Sequence, residues 1–254
     1  MKICAVQFRP VAGDILVNLA KHLEFVDRAI THGADVIFFP ELSLTGYEPQ
    51  LARSLATDPA DSRLDVFQQR SDRHSVTIGV GLPLTVNSEE SRESKESKVQ
   101  IGMVWFTPNA PRRSYAKQHL HEDELPFFVA GSQQLVLEIA GHTLAPAICY
   151  ESLQSTHADH AAKLGANVYL ASVAKPAGGM AKAMQHYPAI AQKHKMYVIL
   201  SDSVGPCDTF ISVGQSAVWN PQGEALTQMD SESEGLVMLD TTTQMADVHV
   251  LQTA

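Results

Sequence analysis

T-L-A-P-A-I-C-Y-E-S, residues 143–152, is the stretch whose reading decides the fold. Thr143–Ile148 is an apolar run of strand length that stops at Cys149. A helix is expected over Thr156–Leu164, opening at Ser155 or Thr156 and closed by Gly165. A thiol between a strand end and a helix N-terminus sits in a positive local field, which favours the thiolate. Alone, the signal is weak, because a lone cysteine is usually a small buried hydrophobe. The next apolar run, Asn167–Ala171, completes a strand–helix–strand unit of the kind that builds layered α/β domains.

The same alternation extends toward the N-terminus. Ile3–Phe8 reads as a buried strand, and Leu19, Leu23, Val26 and Ile30 stripe one face of a helix over Asn18–His32, with Gly33 as its cap. Val36–Phe39 and Val76–Gly81 are strands on either side of a helix over Asp61–His74. Ser88–Lys98 has no apolar residue and reads as a solvated tip between strands at Gly81–Val86 and Val99–Phe106. Further strands are expected at Arg112–Tyr115, Gln134–Ile139, Tyr197–Asp202, Ile211–Asn220 and Leu236–Asp240. A helix over Lys182–Lys195 contains Pro188, which should kink it or begin a new segment. With no repeat and no break in composition, residues 1–254 read as a single domain.

Bulk properties narrow the function. Net charge is −9 with lysines and arginines scattered, which argues against nucleic acid or an acidic membrane as partner. No apolar stretch approaches the roughly 20 residues that span a bilayer, and the chain enters its first strand without a signal region. The expected location is the cytoplasm. Three cysteines, Cys4, Cys149 and Cys207, without C-x-x-C spacing argue against a disulfide framework or a cysteine zinc site. Cys4 lies inside a strand, and Cys207 follows Gly-Pro in an expected, exposed loop with no base-like partner.

Two more segments give Cys149 its context. F-F-P-E-L-S-L-T-G-Y (38–47) places Glu41 just past a strand, and R-S-Y-A-K-Q-H-L (113–120) places Lys117 just past another. Taken singly, Glu41 reads as a helix cap or surface charge and Lys117 as a solvent-facing lysine. In combination and in this order, the three segments resemble the nitrilase (carbon–nitrogen hydrolase) superfamily, on its amidase-like branch. M-K-I-C-A-V-Q-F and the stretch from S-D-S-V-G to Gly223 extend the likeness over nearly the whole chain.

The resemblance implies a four-layer α-β-β-α sandwich and a Glu41–Lys117–Cys149 triad that breaks a non-peptide carbon–nitrogen bond in a small amide or N-carbamoyl compound. Glu41 would act as base and acid, and Lys117 with the N–H of Tyr150 would hold the oxyanion. Glu124 would orient Lys117, with Glu122 as fallback in H-L-H-E-D-E-L-P-F-F-V-A-G (119–131). Tyr47 and Ser172 would face the pocket or serve packing, and Glu151 would support the nucleophile turn. Lys175 would suit a substrate carboxylate or lie on the surface. No metal or cofactor is implied. A homodimer or larger homo-oligomer is, with the strand after Gly165 and the tail Thr241–Ala254 as candidate contacts.

The chain departs from the family pattern in I-A-Q-K-H-K (190–195), where many relatives carry R-A-x-E-N, and in Ser201-Asp202-Ser203, where an asparagine is usual. Metal-dependent hydrolysis would have to rest on His119-x-His121 or His157-x-x-His160, neither of which is an H-E-x-x-H pattern. A histidine-based cysteine hydrolase would leave Glu41 and Lys117 unexplained. Acyl transfer and a non-catalytic binding role on the same fold are the remaining rivals.

Overall fold

The computed structural model describes residues 1–86 and 98–251, so the polar tip expected at Ser88–Lys98 lies, apart from Lys98, outside the described residues. Two sheets make the centre of the molecule. In the larger, β1 (Lys2–Gln7), β2 (Val36–Phe38), β3 (Thr77–Thr85), β4 (Val99–Phe106) and β5 (Arg113–Ala116) are joined by β14 (Gly235–Asp240) and β15 (Met245–Val250), in the order β15-β14-β1-β2-β3-β4-β5. In the smaller, β6 (Leu137–Ile139), β7 (His142–Ile148), β8 (Val168–Val173), β9 (Tyr197–Asp202), β12 (Ala217–Trp219) and β13 (Ala225–Gln228) run in the order β13-β12-β9-β8-β7-β6. β10 (Val204–Cys207) and β11 (Phe210–Val213) form a separate hairpin.

Strand alternation produces the layers, because successive side chains point to opposite faces. Ile3 and Ala5 of β1 face the other sheet and pack in one core with Trp105, Ile148, Leu170 and Ile199. Cys4 and Val6 face outward and pack with Phe25, Val26 and Phe67 from α1 (Ile15–Thr31) and α3 (Asp65–His74). Between those two helices in the chain, α2 (Ala52–Leu55) is a single turn. On the far side, Ala147, Tyr169 and Val198 pack with Ala158, Ala183 and Tyr187 from α4 (Ser155–Lys163) and α5 (Ala177–His194). This is the four-layer α-β-β-α sandwich, and central strands such as β2, β8 and β9 are buried along their length because both faces are covered.

β1, β2 and β3 are mutually parallel, as are β7, β8 and β9. Their carboxyl ends therefore gather at one end of the sandwich, where open α/β sheets place their ligands. Two hydroxyls tie the sheets together near that end: Ser172 donates to the Phe39 carbonyl at 2.8 Å and Ser201 to the Val6 carbonyl at 2.6 Å.

Several sequence expectations change. Ile211–Asn220 is not one strand, because Gly214 and Gln215 take left-handed backbone (φ +60° and +62°) and break it in two. A Cβ on Gly214 would fall 2.6 Å from the Gln7 amide, which is why glycine stands there. Cys207 is fully buried on β10 rather than exposed in a loop. Pro188 neither begins a segment nor ends one; α5 runs through it from Ala177 to His194. The buried face of α1 is centred on Asn18, His22, Phe25, Val26 and Ala29, one step round from the apolar stripe. Asn18 bonds Val11 and the Leu44 carbonyl, and His22 bonds Ser43 Oγ at 2.9 Å, so two polar residues of α1 brace the loop that follows β2. Burial pushes the His22 imidazole down to about 3, so it braces that loop uncharged. The strand after Gly165 is β8, interior and buried along its length, so it presents no surface to a second subunit. The tail forms β15, an outer strand with Met245 and Val250 exposed.

Candidate active site

Each of the three key side chains leaves a strand at this shared end. Glu41 follows β2 in a turn that packs flat on β3. A Cβ on Gly81 would come within 2.4 Å of the Pro40 carbonyl, so glycine is required for that approach. Lys117 follows β5, its N–H donating to the Ile101 carbonyl and its own carbonyl accepting from Gly131. Cys149 ends β7 in left-handed backbone (φ +44°), a strained state for a residue with a side chain. The tight turn Cys149–Leu153 holds it there, with the Ser152 hydroxyl donating to the Cys149 carbonyl at 2.6 Å.

The side chains meet in one buried cluster. The Lys117 ammonium, with 0 % exposure, donates to Glu41 Oε1 at 2.7 Å and to Glu124 Oε1 at 2.6 Å. Glu124 is fixed further by the Tyr47 hydroxyl at 3.0 Å and by the His121 N–H at 2.7 Å. Glu122 is exposed, and the carboxylate of the acidic loop that Lys117 reaches is that of Glu124. Cys149 and Tyr150 border a cavity of about 270 Å³ whose other walls include Tyr47, Glu124, Lys175 and Phe210. Ser172 does not line it; its hydroxyl is spent on the bond between the sheets.

The electrostatics keep the Cys149 thiol protonated at rest. Burial pushes the Cys149 thiol up to about 12, the Glu41 carboxylate adds to the rise, and Lys175 and Lys117 oppose it. Burial thus outweighs the positive local field expected at this strand end. Burial also raises Glu41, against the pull of the Lys117 ammonium, and the Glu124 carboxylate adds to the rise. Among the described residues Glu41 Oε2 has no hydrogen-bond partner. A buried carboxylate oxygen so placed is suited to take a proton. Burial works against the Lys117 charge, but the carboxylates and the thiol around it raise Lys117 on balance.

Glu151 is the brace between the lysine and cysteine segments. It accepts from the Ile148 N–H at 2.7 Å, the Gln118 N–H at 2.6 Å and the Tyr115 hydroxyl at 2.6 Å. Burial pushes its carboxyl up to about 7, while these donors pull against the rise. Glu151→Gln turns an amide NH2 toward backbone donors and should cost about 1–3 kcal/mol in urea unfolding. Glu151 titrates higher folded than unfolded, so its contribution is complete below the usual glutamate range. It is lost as pH rises through about 7. The stability gap to the variant should therefore be wider in mild acid than above neutrality.

Lys175 follows β8 and is 4 % exposed, so it is not a surface lysine. His157, one of the paired histidines, is buried with its ring nitrogens against Tyr115 and Tyr169. Among the described residues no group of three His, Cys, Asp or Glu side chains is placed to hold a metal ion. No helix among them is long and apolar enough to cross a membrane. Asp202 is buried, with Oδ1 accepting from the Lys175 N–H at 3.1 Å and the Ser212 hydroxyl at 3.1 Å.

Residues 2–249 match the carbon-nitrogen hydrolase family model. The chain belongs to the carbon–nitrogen hydrolase family. It is 28% identical over 242 residues to the glutamine-dependent NAD(+) synthetase of Acinetobacter baylyi, a match covering 92% of this chain and 43% of that protein. The hydrolase chain thus spans less than half the length of that relative. It is 25% identical over 238 residues to the 2-oxoglutaramate amidase of Bacillus subtilis, covering 92% of this chain and 88% of that one. Among solved structures, the NitN amidase from Nesterenkonia sp. AN1 superposes with a TM-score of 0.82 at 23% identity, over 94% of this chain and 92% of that one. A variant of that amidase carries the acetamide moiety of fluoroacetamide covalently on its active site cysteine. At that identity the likeness speaks for the fold, and the family match places the chain among the carbon–nitrogen hydrolases.

Proposed function

We propose that this hydrolase cleaves the carbon–nitrogen bond of a small amide or N-carbamoyl compound through a thioester on Cys149, with Glu41 and Lys117 as its partners. The observation that carries the reading is the buried Glu41–Lys117–Glu124 cluster beside a cavity that ends on a protonated thiol. Glu41 takes the Sγ proton as sulfur attacks the carbonyl carbon. The carbonyl oxygen gains the negative charge, which the Lys117 ammonium and the Tyr150 N–H receive. Collapse breaks the carbon–nitrogen bond, and the leaving nitrogen takes the proton from Glu41. Water then gives a proton to Glu41 and its oxygen to the thioester carbon, and the thiol is restored as the acid leaves.

Glu124 and Tyr47 hold Lys117 in register for both steps. The cavity volume suits a small ligand, and the mostly apolar wall suits a short carbon chain. The test is ammonia release from a panel of small amides, ω-amides, N-carbamoyl amines and nitriles, with Cys149→Ala beside the wild type. Release from the amide or carbamoyl members by the wild type alone is the expected result. Equal release by the variant overturns the scheme.

A further inference from the structure

Lys175 has surroundings that the scheme above leaves unexplained. Its ammonium is buried, yet among the described residues it makes no salt bridge to a carboxylate. Its polar contacts there are the Cys149 carbonyl at 3.5 Å and Cys149 Sγ at 3.6 Å. It stands just before the N-terminus of α5, an 18-residue helix whose dipole disfavours a cation there. The backbone holds it there regardless: the Lys175 N–H donates to Asp202 Oδ1 and to Ser212 Oγ, and its carbonyl accepts from the Val213 N–H. A buried ammonium without a counter-ion is costly, so a clamp that keeps one beside sulfur needs a compensating charge.

We propose that Lys175 is a second cation of the active site, one that pairs with the Cys149 thiolate when Glu41 takes its proton. This rests on the reading of Cys149 as nucleophile. The charges around the sulfur show why two lysines are needed. Glu41 and Glu124 face Lys117 on one side, and Lys175 faces the sulfur on the other. With the thiol neutral, two carboxylates and two ammoniums balance. Proton transfer leaves Glu41 neutral and moves its negative charge onto Sγ. The charge thus passes from the pair with Lys117 to a pair with Lys175, and the buried total does not change. Asp202 and Tyr187 also act on Lys175. Burial holds Asp202 well above the usual carboxylate range, and Tyr187 is raised to about 12, with its hydroxyl on Ser152. Neither supplies the counter-charge at the sulfur. Lys175 is thereby a positioning residue for the thiolate, distinct from Lys117, which faces the carboxylates.

The test is the rate of Cys149 alkylation by iodoacetamide against pH, read on the Cys149 peptide by mass spectrometry. The reagent is uncharged, so affinity for a substrate anion does not enter. Cys4 and Cys207 are fully buried and serve as internal controls for folding. Below the thiol midpoint the rate follows the thiolate fraction, so raising that midpoint by about one on the pH scale slows alkylation about tenfold. Lys175→Met should slow alkylation about tenfold or more at a given pH, and Lys175→Arg should restore most of it. Lys175→Gln replaces the Met variant if that one does not accumulate folded. Alkylation of Met or Gln variants within about twofold of wild type at every pH overturns the role of Lys175 while leaving Cys149 as nucleophile. An unreactive Cys149 in the wild type, with amide turnover surviving Cys149→Ala, overturns the nucleophile itself.

Discussion

Lys117→Met is expected to yield a protein both inactive and about 3–5 kcal/mol less stable, the cost of breaking a buried ion pair from one side. A lysine past a strand is ordinarily solvated, and on that reading its removal would spare the fold. The structure places Nζ instead between two buried carboxylates, 2.7 Å and 2.6 Å away. Methionine fills much of the space but leaves Glu41 and Glu124 without their counter-ion. Burial already raises Glu41, and without the ammonium it rises further. A carboxyl that titrates higher folded than unfolded stabilises in its protonated form, and that contribution is lost as pH rises through the folded value. The deficit should therefore be largest at neutral pH and smaller in mild acid. Urea unfolding of both proteins across that range checks the sign. A Met variant as stable as wild type at neutral pH would mean that the cluster contributes nothing to the fold.

Glu41→Gln should separate two properties of Cys149 that usually move together. Turnover should fall by about 10²–10⁴-fold, the common range for loss of a general base, because glutamine cannot take the thiol proton or later the water proton. Alkylation of the same thiol at fixed pH should become faster. Glu41 is, after burial, the largest cause of the raised thiol, so removing its charge favours the thiolate. Lys117 keeps its bond to Glu124, so the fold should lose less than in Lys117→Met. Parallel ammonia-release and iodoacetamide rates decide the matter. If both rates fall together, Glu41 acts by holding the site in shape and not as base.

The readable part of this molecule is the part written in local pattern. Glu41, Lys117 and Cys149 each stand just beyond a strand, and strand period and turn residues are local signals. Parallel strands then bring those ends together wherever they lie in the chain. What was hidden depends on packing between segments far apart in sequence. Ser172 looks like a pocket residue by position, but the closeness of the second sheet turns its hydroxyl to Phe39. Cys207 hides locally instead: Gly205 and Pro206 before it read as loop, yet its strand pairs in a short hairpin with Phe210–Val213. Asn18 and His22 stand beside the apolar stripe, and nothing nearby in sequence says that the Leu44 carbonyl and Ser43 wait for them. Lys175 was legible as a candidate, but its burial against Cys149 was not. That follows from the Asp202 and Ser212 clamp, whose acceptors lie 27 and 37 residues along the chain.

The central claim is a thioester on Cys149, and interception by hydroxylamine tests it most directly. Hydroxylamine attacks a thioester carbonyl, frees the thiol and carries the acyl group away as a hydroxamic acid. With an amide that the wild type hydrolyses, the account predicts hydroxamate in place of carboxylic acid. Ammonia release should continue undiminished, and Cys149→Ala should make neither product. Acid formed at the full rate without hydroxamate, and formed equally by Cys149→Ala, would contradict it.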